Sequence, residues 1–461
     1  MNESGSVFQS IIPEIRQKSA ELRHALGWAI VIIDDDPTGN QTVHGIPLLG
    51  SWTVELLKEE LAEDSPAFFI LANTRSLPEA EAVARMSVIA RNLREASESV
   101  GKSVLVISRS DSTLRGHFPA EIDALSPLVD PQKRILIFAP AMFEGGRVTI
   151  EDIQYLEEGE QLTPVGQTEY ANDPVFGYRN SYLPDWLVEK TGDPSLLDRL
   201  KSIAIGDLAE SALLRQKLSH LQAGEICLLN AAHYGHMDLA ALAIWEWLAS
   251  EPSRQVLVRS SSSFLPSFLG LPPQGLLSPA TLKLPSGAGG VVIVGSFVSK
   301  TTSQLTRLLS EREDLIRVEL DPAKLEDTGV QDYLLLLTQQ IDETVVQGHH
   351  VVLFTSRTLV QKEDAEAQLL LGQMISDALV AVVKGLKVKP RFLIAKGGIT
   401  SHVLAVEALE MMRSKVKGQI LPGIPVWEMG AESRFPGLTY VVFPGNVGGS
   451  NALVEAVNKL S

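Results

Sequence analysis

The sequence predicts an α/β protein made of two α/β domains with mainly parallel sheets. Three observations carry this. Short continuous apolar runs such as Ala29–Ile33 and Ile135–Phe138 stop abruptly at polar or Gly/Pro residues, the pattern of strands covered on both faces. Longer stretches of helical period separate these runs, as in βαβ units. The alternation then pauses in a Ser/Pro/Gly-rich region, about Glu251 to Gly290, and restarts. Domains are therefore expected at residues 1–270 and 286–461, with a cleft between two such halves as the default place for a ligand.

In the first half the expected strands are Ala29–Ile33, Ala67–Leu71, Val104–Ile107 and Ile135–Phe138, with helices at Glu79–Ser97 and Ala120–Leu125. In the second half they are Val291–Val294, Leu315–Leu320, Val351–Phe354, Phe392–Ile394 and Tyr440–Phe443. Helices are expected there at Ser303–Ser310, Leu334–Gln347, Ala365–Val383 and Ser401–Met412.

Composition supports this reading. A chain of 461 residues suits two domains at roughly 100–200 residues each. With 45% hydrophobic residues it fills two cores without disulfides or a structural metal. The lone Cys227, in the apolar run ICLL, reads as inert packing. A net charge of −16 without a basic stripe argues against nucleic acid as a partner. An anionic ligand must then be met by local Arg, Lys or backbone N–H groups, because the overall field opposes it. The N-terminus has no basic start followed by an apolar core, so it does not read as a signal peptide. No apolar stretch approaches the ~18 residues of a membrane span. The expectation is a soluble, cytoplasmic protein, with which a homodimer is compatible.

The chemistry gathers at strand ends, where open α/β sheets bind ligands. Asp34, Asp35 and Asp36 crowd the end of the first strand, followed by Thr38 and Gly39. Three adjacent carboxylates repel unless a cation, a hydroxyl or a basic neighbour meets them. Asp34-x-Asp36-x-Thr38 also resembles the haloacid-dehalogenase phosphatases, but the later strand ends in glycines instead of paired acids. The run Ser108–His117 supplies Ser108, Ser110, Asp111, Ser112 and Thr113 beside Arg109 and Arg115. A planar guanidinium holds a carboxylate through two hydrogen bonds, and Asp and Ser hold hydroxyls, so this mixture suits a polyhydroxy acid. Capping a helix accounts for one of these residues, not seven. A third turn offers Gly145, Gly146 and Arg147. His117 reads as packing, and His233 with His236 lacks the further ligands a zinc site needs.

In the second half three strands run into glycine turns: Gly295–Ser296, Gly397–Gly398–Ile399–Thr400–Ser401, and Gly445–Asn446 with Gly448. Such turns let backbone N–H groups approach phosphate oxygens. No GxxxxGK[ST] or GxGxxG motif is present.

Taken in order, the motifs resemble the four-carbon acid sugar kinase family. The matching residues are Asp35, Asp36, Thr38 and Gly39; Asp111 through Gly116; and Pro140, Ala141, Gly146, Arg147 and Thr149. Glu169, Asp173, Pro174 and Gly177 follow, then the three glycine turns of the second half. The resemblance implies a sugar-acid-binding domain followed by a nucleotide-binding domain. It further implies phosphoryl transfer from ATP–Mg²⁺ to the terminal hydroxyl of a threonate-, erythronate- or oxo-tetronate-like acid. Under it Arg115 binds the substrate carboxylate or the transferring phosphoryl, and Asp35 or Asp36 is the base, Asp36 being preferred. Thr38, Gly39, Ser110, Asp111, Ser112 and Arg147 line the acid, and the glycine turns hold ATP. Domain closure would exclude water. Two rival readings are a phosphatase using Asp34 and Asp36 and a non-catalytic sugar-acid sensor.

Overall fold

The computed structural model describes residues 4–295, 298–356 and 365–461. The chain divides into two compact units, Met1–Pro47 with Ser51–Gln274, and Leu48–Gly50 with Gly275–Ser461.

In the first unit, β1 (Ala29–Asp34) is followed by a short strand, β2 (Pro47–Leu49), most of which clusters with the second unit. The first unit continues with β3 (Phe68–Leu71), β4 (Val104–Arg109) and β5 (Ile135–Ala139). A small antiparallel sheet follows, made of β6 (Arg147–Ile150), β7 (Ile153–Glu158) and β8 (Gln161–Pro164). The main sheet is completed by β9 (Leu200–Ile203), β10 (Ile226–Leu229) and β11 (Val256–Ser260). Its order is β3-β1-β4-β11-β5-β10-β9, and the paired strands are all parallel. The central strands are apolar on both faces because helices cover both sides. Trp186, Trp245, Phe68, Phe69 and Phe138 are fully buried around them. The N-terminal helix Ser4–Leu26 packs against the helix Tyr234–Ser250. There Arg16 Nε bonds Asp238 Oδ1 at 2.8 Å, both buried.

In the second unit β12 (Val291–Val294), β13 (Ile316–Leu320), β14 (Val351–Thr355) and β15 (Phe392–Lys396) are parallel. The chain then forms a long hairpin, β16 (Arg413–Leu421) and β17 (Ile424–Met429), before β18 (Thr439–Phe443). The order is β13-β14-β12-β15-β18-β17-β16, with β18 parallel to β15 and β17 antiparallel to it.

Three expectations need correction. The region Glu251–Gly290 is not all junction. Val256–Ser260 is a central strand and Phe264–Leu269 a fully buried helix, because their apolar residues outweigh the serines around them. The helix expected over Ser401–Met412 begins earlier and ends sooner. An α-helical turn over Gly398–Val403 widens into a π-helix over Leu404–Ala408, and Glu410, at φ 54°, turns the chain out of it. The turn expected at Gly145 and Gly146 is present, with Gly146 at φ 70°, but Arg147 lies beyond it as the first residue of β6.

Candidate active site

Strand register builds the centre of the first unit. Asp34 at the end of β1 lies beside Arg109 at the end of β4, and Arg109 beside Ser260 of β11. Arg109 Nη1 reaches Asp34 Oδ1 at 3.3 Å and Asp35 Oδ1 at 3.1 Å, while its Nη2 donates to Ser262 Oγ at 3.1 Å. Gly39 closes over this pair. A Cβ there would collide with the Asp34 carboxylate and crowd Arg109 Nη1, so only glycine lets the loop pass.

A second arginine, Arg75, follows the end of β3. Its backbone N–H donates to Asp35 O at 3.2 Å. Its guanidinium bonds the Asp36 carboxylate, lies 3.0 Å from Asp111 Oδ1 and 3.8 Å from Asp35 Oδ2. Thr38 donates to Asp36 Oδ1 through its N–H at 2.7 Å and through its hydroxyl. Asp111 also accepts from Thr113 Oγ1 and, at 2.9 Å, from Arg115 Nε. Arg115 Nη1 lies 3.5 Å from Asp173 Oδ2. The guanidinium groups of Arg115 and Arg147 each stand 5.2 Å from the ring centre of Tyr170, which ties the third motif to the second.

Burial sorts these groups. Asp34 is wholly buried and Asp35 nearly so, whereas Asp36, Asp111 and Arg115 retain 19%, 12% and 26% side-chain exposure. Burial drives the Asp34 carboxyl up to about 7 despite Arg109 and the Asp35 carboxyl up to about 6 despite Arg75 and Arg109. Burial pushes Asp36 the same way, but Arg75, Arg109 and the Thr38 hydrogen bonds overcome it and hold Asp36 at about 2. Arg75 and Arg115 likewise keep Asp111 well below the usual carboxylate range, against its burial. The cluster thus pairs a part-exposed layer of carboxylates held ionised by arginines with a buried layer raised toward neutrality.

Not every expected residue joins the cluster. Ser110 and Ser112 are buried. Ser112 Oγ faces Met142 Sδ at 3.5 Å, and Ser110 meets Ser260 O through its backbone N–H at 2.8 Å. His117 is a buried packing residue, with Nε2 2.9 Å from Leu77 O and its ring edge-on to Phe176. Cys227 is buried, and burial pushes its thiol up to about 12.

In the second unit the glycine turns follow β12, β15 and β18, neighbours in the parallel part of the sheet, so they share its carboxyl edge. A Cβ on Gly295 would press on Thr400 Oγ1 and Leu379. Gly397, at φ 117°, donates its N–H to Phe443 O at 2.8 Å. Ser401 is buried, its hydroxyl bonding Ala395 O and Gly397 O, while Ile399 is exposed. Asn446 and Gly448 are exposed and Gly445 half-buried. Ser296 lies outside the described residues.

Sequence comparison gives these two units a common identity. A family model described as a sugar-binding N-terminal domain matches residues 30–268, and one described as a nucleotide-binding C-terminal domain matches residues 291–453. The chain belongs to the four-carbon acid sugar kinase family. As a member it is a sugar-acid kinase. It is 26% identical over 451 residues to the 3-oxo-tetronate kinase of Pseudomonas savastanoi pv. phaseolicola, covering 93% of this chain and 96% of that one. The 3-oxo-tetronate kinase of Cupriavidus necator is 25% identical, covering 86% and 87%. The D-threonate kinase of Bordetella bronchiseptica is 28% identical over 169 residues, covering 35% of this chain and 39% of that one. A solved structure from Salmonella typhimurium LT2 matches with a TM-score of 0.69 at 19% identity, covering 94% and 99%. One from Haemophilus influenzae matches at 0.65 and 16% identity, covering 94% and 100%. These two show the fold alone.

Several residues of this kinase escaped the sequence reading. Arg75 is the hinge of the acid cluster. Its signal was the polar run NTRS after the Phe68–Leu71 strand, a strand end like the others. Arg259 is wholly buried, stacked on the Phe118 ring at 5.0 Å, and 4.0 Å from Glu121. Glu121 in turn accepts from Thr74. The single letter R in a serine run gave no sign of this. A magnesium ion fits the cluster poorly as a resident. Arg75 and Arg109 already neutralise its acids. Among the described residues no three acidic, His or Cys side chains gather as a metal cage. Among the described residues no helix is long and apolar enough to cross a membrane.

Proposed function

We propose that this kinase uses ATP–Mg²⁺ to phosphorylate the terminal hydroxyl of a four-carbon sugar acid, namely threonate, erythronate or an oxo-tetronate. The observation that supports it best is the layered acid–arginine cluster. Arg115, half-exposed on Tyr170, suits the substrate carboxylate. Asp111 and Thr38 suit its hydroxyls, with Gly39 holding the loop and Arg147 also against the Tyr170 ring. The buried hydroxyls of Ser110 and Ser112 suit a supporting part in that wall. Asp36 reaches the surface, is oriented by Arg75 and Thr38, and accepts the hydrogen bond of the attacking hydroxyl. Its weak basicity is no obstacle, because phosphoryl transfer rests on positioning and charge neutralisation. Asp35, beneath it, is the stronger base and the deeper one. In the second unit, Gly295, Gly397, Gly398, Ile399, Thr400, Gly445, Asn446 and Gly448 suit the nucleotide, while Ser401 braces the turn. The relatives named as 3-oxo-tetronate and D-threonate kinases favour the same substrate class.

A phosphatase would need Asp34 as its nucleophile. That carboxylate is wholly buried beneath Gly39 and Arg109, which leaves no room for attack on a phosphate. A pure sensor would bind the acid without turnover. The test is ADP formation from ATP–Mg²⁺ with both threonates, both erythronates and their oxo forms. Acid-dependent ADP production with one of them is expected. In Asp36→Asn a fall of about 10²–10⁴ in kcat is expected with KM little changed. Silence with every acid would overturn the substrate class, and an undiminished Asp36→Asn enzyme would overturn the base.

A further inference from the structure

The loop after β18 has an unusual division of its backbone. Its carbonyls, from Pro444 to Gly449, are each taken by a side chain. Lys396 Nζ donates to Pro444 O at 2.6 Å and Gly445 O at 3.1 Å. Lys300 Nζ donates to Asn446 O at 3.1 Å. Gln304 Nε2 faces Val447 O at 3.1 Å, Gly448 O at 3.3 Å and Gly449 O at 2.9 Å. The N–H groups of residues 445–450 have no acceptor among the described residues. Because a peptide N–H points away from its own carbonyl, engaging these carbonyls leaves the N–H groups facing elsewhere, which is how backbone binds an anion.

The donors are built for this. Gln304 and Lys396 are wholly buried, and Gln304 Oε1 has no partner among the described residues. Lys396 sits at the end of β15, in register with Val294 of β12 and Phe443 of β18, whose ring centre is 4.2 Å from its amine. Among the described residues no carboxylate pairs with Lys396 or Lys300. The charges around the amine are few. β12 presents apolar side chains, β18 carries Tyr440 as its one titratable group, the loop 444–449 carries none, the short helix Gly398–Val403 carries His402, and the helix Ser299–Glu311 brings Lys300. A buried ammonium without a counter-charge is costly. Burial, then Lys300, bring it down to about 7.

We propose that Lys396 and Gln304 are positioning residues that hold this loop as a cradle for the phosphates of ATP, and that phosphate binding draws a proton onto Lys396. This rests on the kinase reading above. The anion supplies the counter-charge that the amine lacks, and the loop carbonyls remain its hydrogen-bond partners in either state.

The test is calorimetric titration of the full chain with ADP–Mg²⁺ at pH 8, in buffers of different ionisation enthalpy. Wild type is expected to take up a substantial fraction of one proton per ADP. Lys396→Met is expected to bind ADP about tenfold more weakly and to take up none. Lys396→Arg, permanently charged, is expected to recover affinity without uptake, which a merely structural role would not produce. Gln304→Glu, aiming a carboxylate at the carbonyls, is expected to weaken ADP with uptake retained. Proton-neutral binding by wild type overturns the inference even if Lys396→Met fails to fold, as does unchanged affinity in a folded Lys396→Met. Wild type that binds no ADP overturns the nucleotide reading itself.

Discussion

At the scale of the residue, the acid cluster is governed by where each carboxylate sits relative to two guanidinium groups. Asp36 and Asp34 are two residues apart, yet one is held at about 2 and the other raised to about 7. The difference is Arg75 and Thr38 on one side, and wholly dry burial on the other. The raised group has a measurable consequence. Asp34 keeps its proton in the folded chain up to about pH 7, but the unfolded chain releases it near pH 4. The native state therefore holds the extra proton between those limits. The stability this contributes is complete below about pH 4 and is lost as pH rises through 7. Asp35, raised to about 6, adds to the same slope. Melting temperature is expected to fall from pH 5 to pH 8 in wild type. The fall should be shallower in Asp34→Asn, which cannot ionise. Parallel curves for the two proteins would refute the assignment.

At the scale of the element, most of the site is a product of strand register. Parallel pairing sets Asp34 beside Arg109 and Arg109 beside Ser260, so residues distant in sequence meet at one sheet edge. Away from that edge, a buried ion pair helps fasten the N-terminal helix. Arg16 also donates to Leu271 O at 3.0 Å, while burial raises the Asp238 carboxyl against the pull of Arg16. Arg16→Met keeps the aliphatic stem but strands a buried carboxylate, and is expected to cost about 3–5 kcal/mol in urea unfolding. Adding Asp238→Asn is expected to recover much of that loss. No recovery would mean that the packing, not the charge, fastens the helix. Neither pair was visible in the sequence, for a reason that applies to the site as a whole. Strands such as Val291–Val294 were legible because burial on both faces writes a continuous apolar run. The motif residues Asp35, Asp36, Asp111 and Arg115 were legible because polar residues at a strand end are conspicuous. Arg75, Arg259 and Gln304 were not, because their importance lies in partners supplied by other strands and loops. The hairpin Arg413–Met429 was missed because its half-buried alternation is interrupted by two register shifts, which blur a period of two.

At the scale of the whole molecule, two ligands are assigned to two units by independent features. Under the proposed function the acid belongs at the arginine-lined edge of the first sheet, and the nucleotide at the glycine turns of the second. A chain of net charge −16 offers an anion no general attraction, so each ligand must be held by its own local donors. Ligand footprints should therefore be separable by hydrogen exchange on the intact chain, since exchange reports local opening. The sugar acid is expected to slow exchange in residues 34–40, 73–76 and 109–116. ADP–Mg²⁺ is expected to slow it in residues 395–402 and 444–450, with the strongest effect on the N–H groups of 445–450 that have no acceptor among the described residues. The acid footprint should fade in Arg115→Ala while the ADP footprint persists. The reverse pattern, ADP protecting 34–40 and leaving 444–450 unchanged, would exchange the two assignments and leave Lys396 and Gln304 bracing a loop that binds nothing.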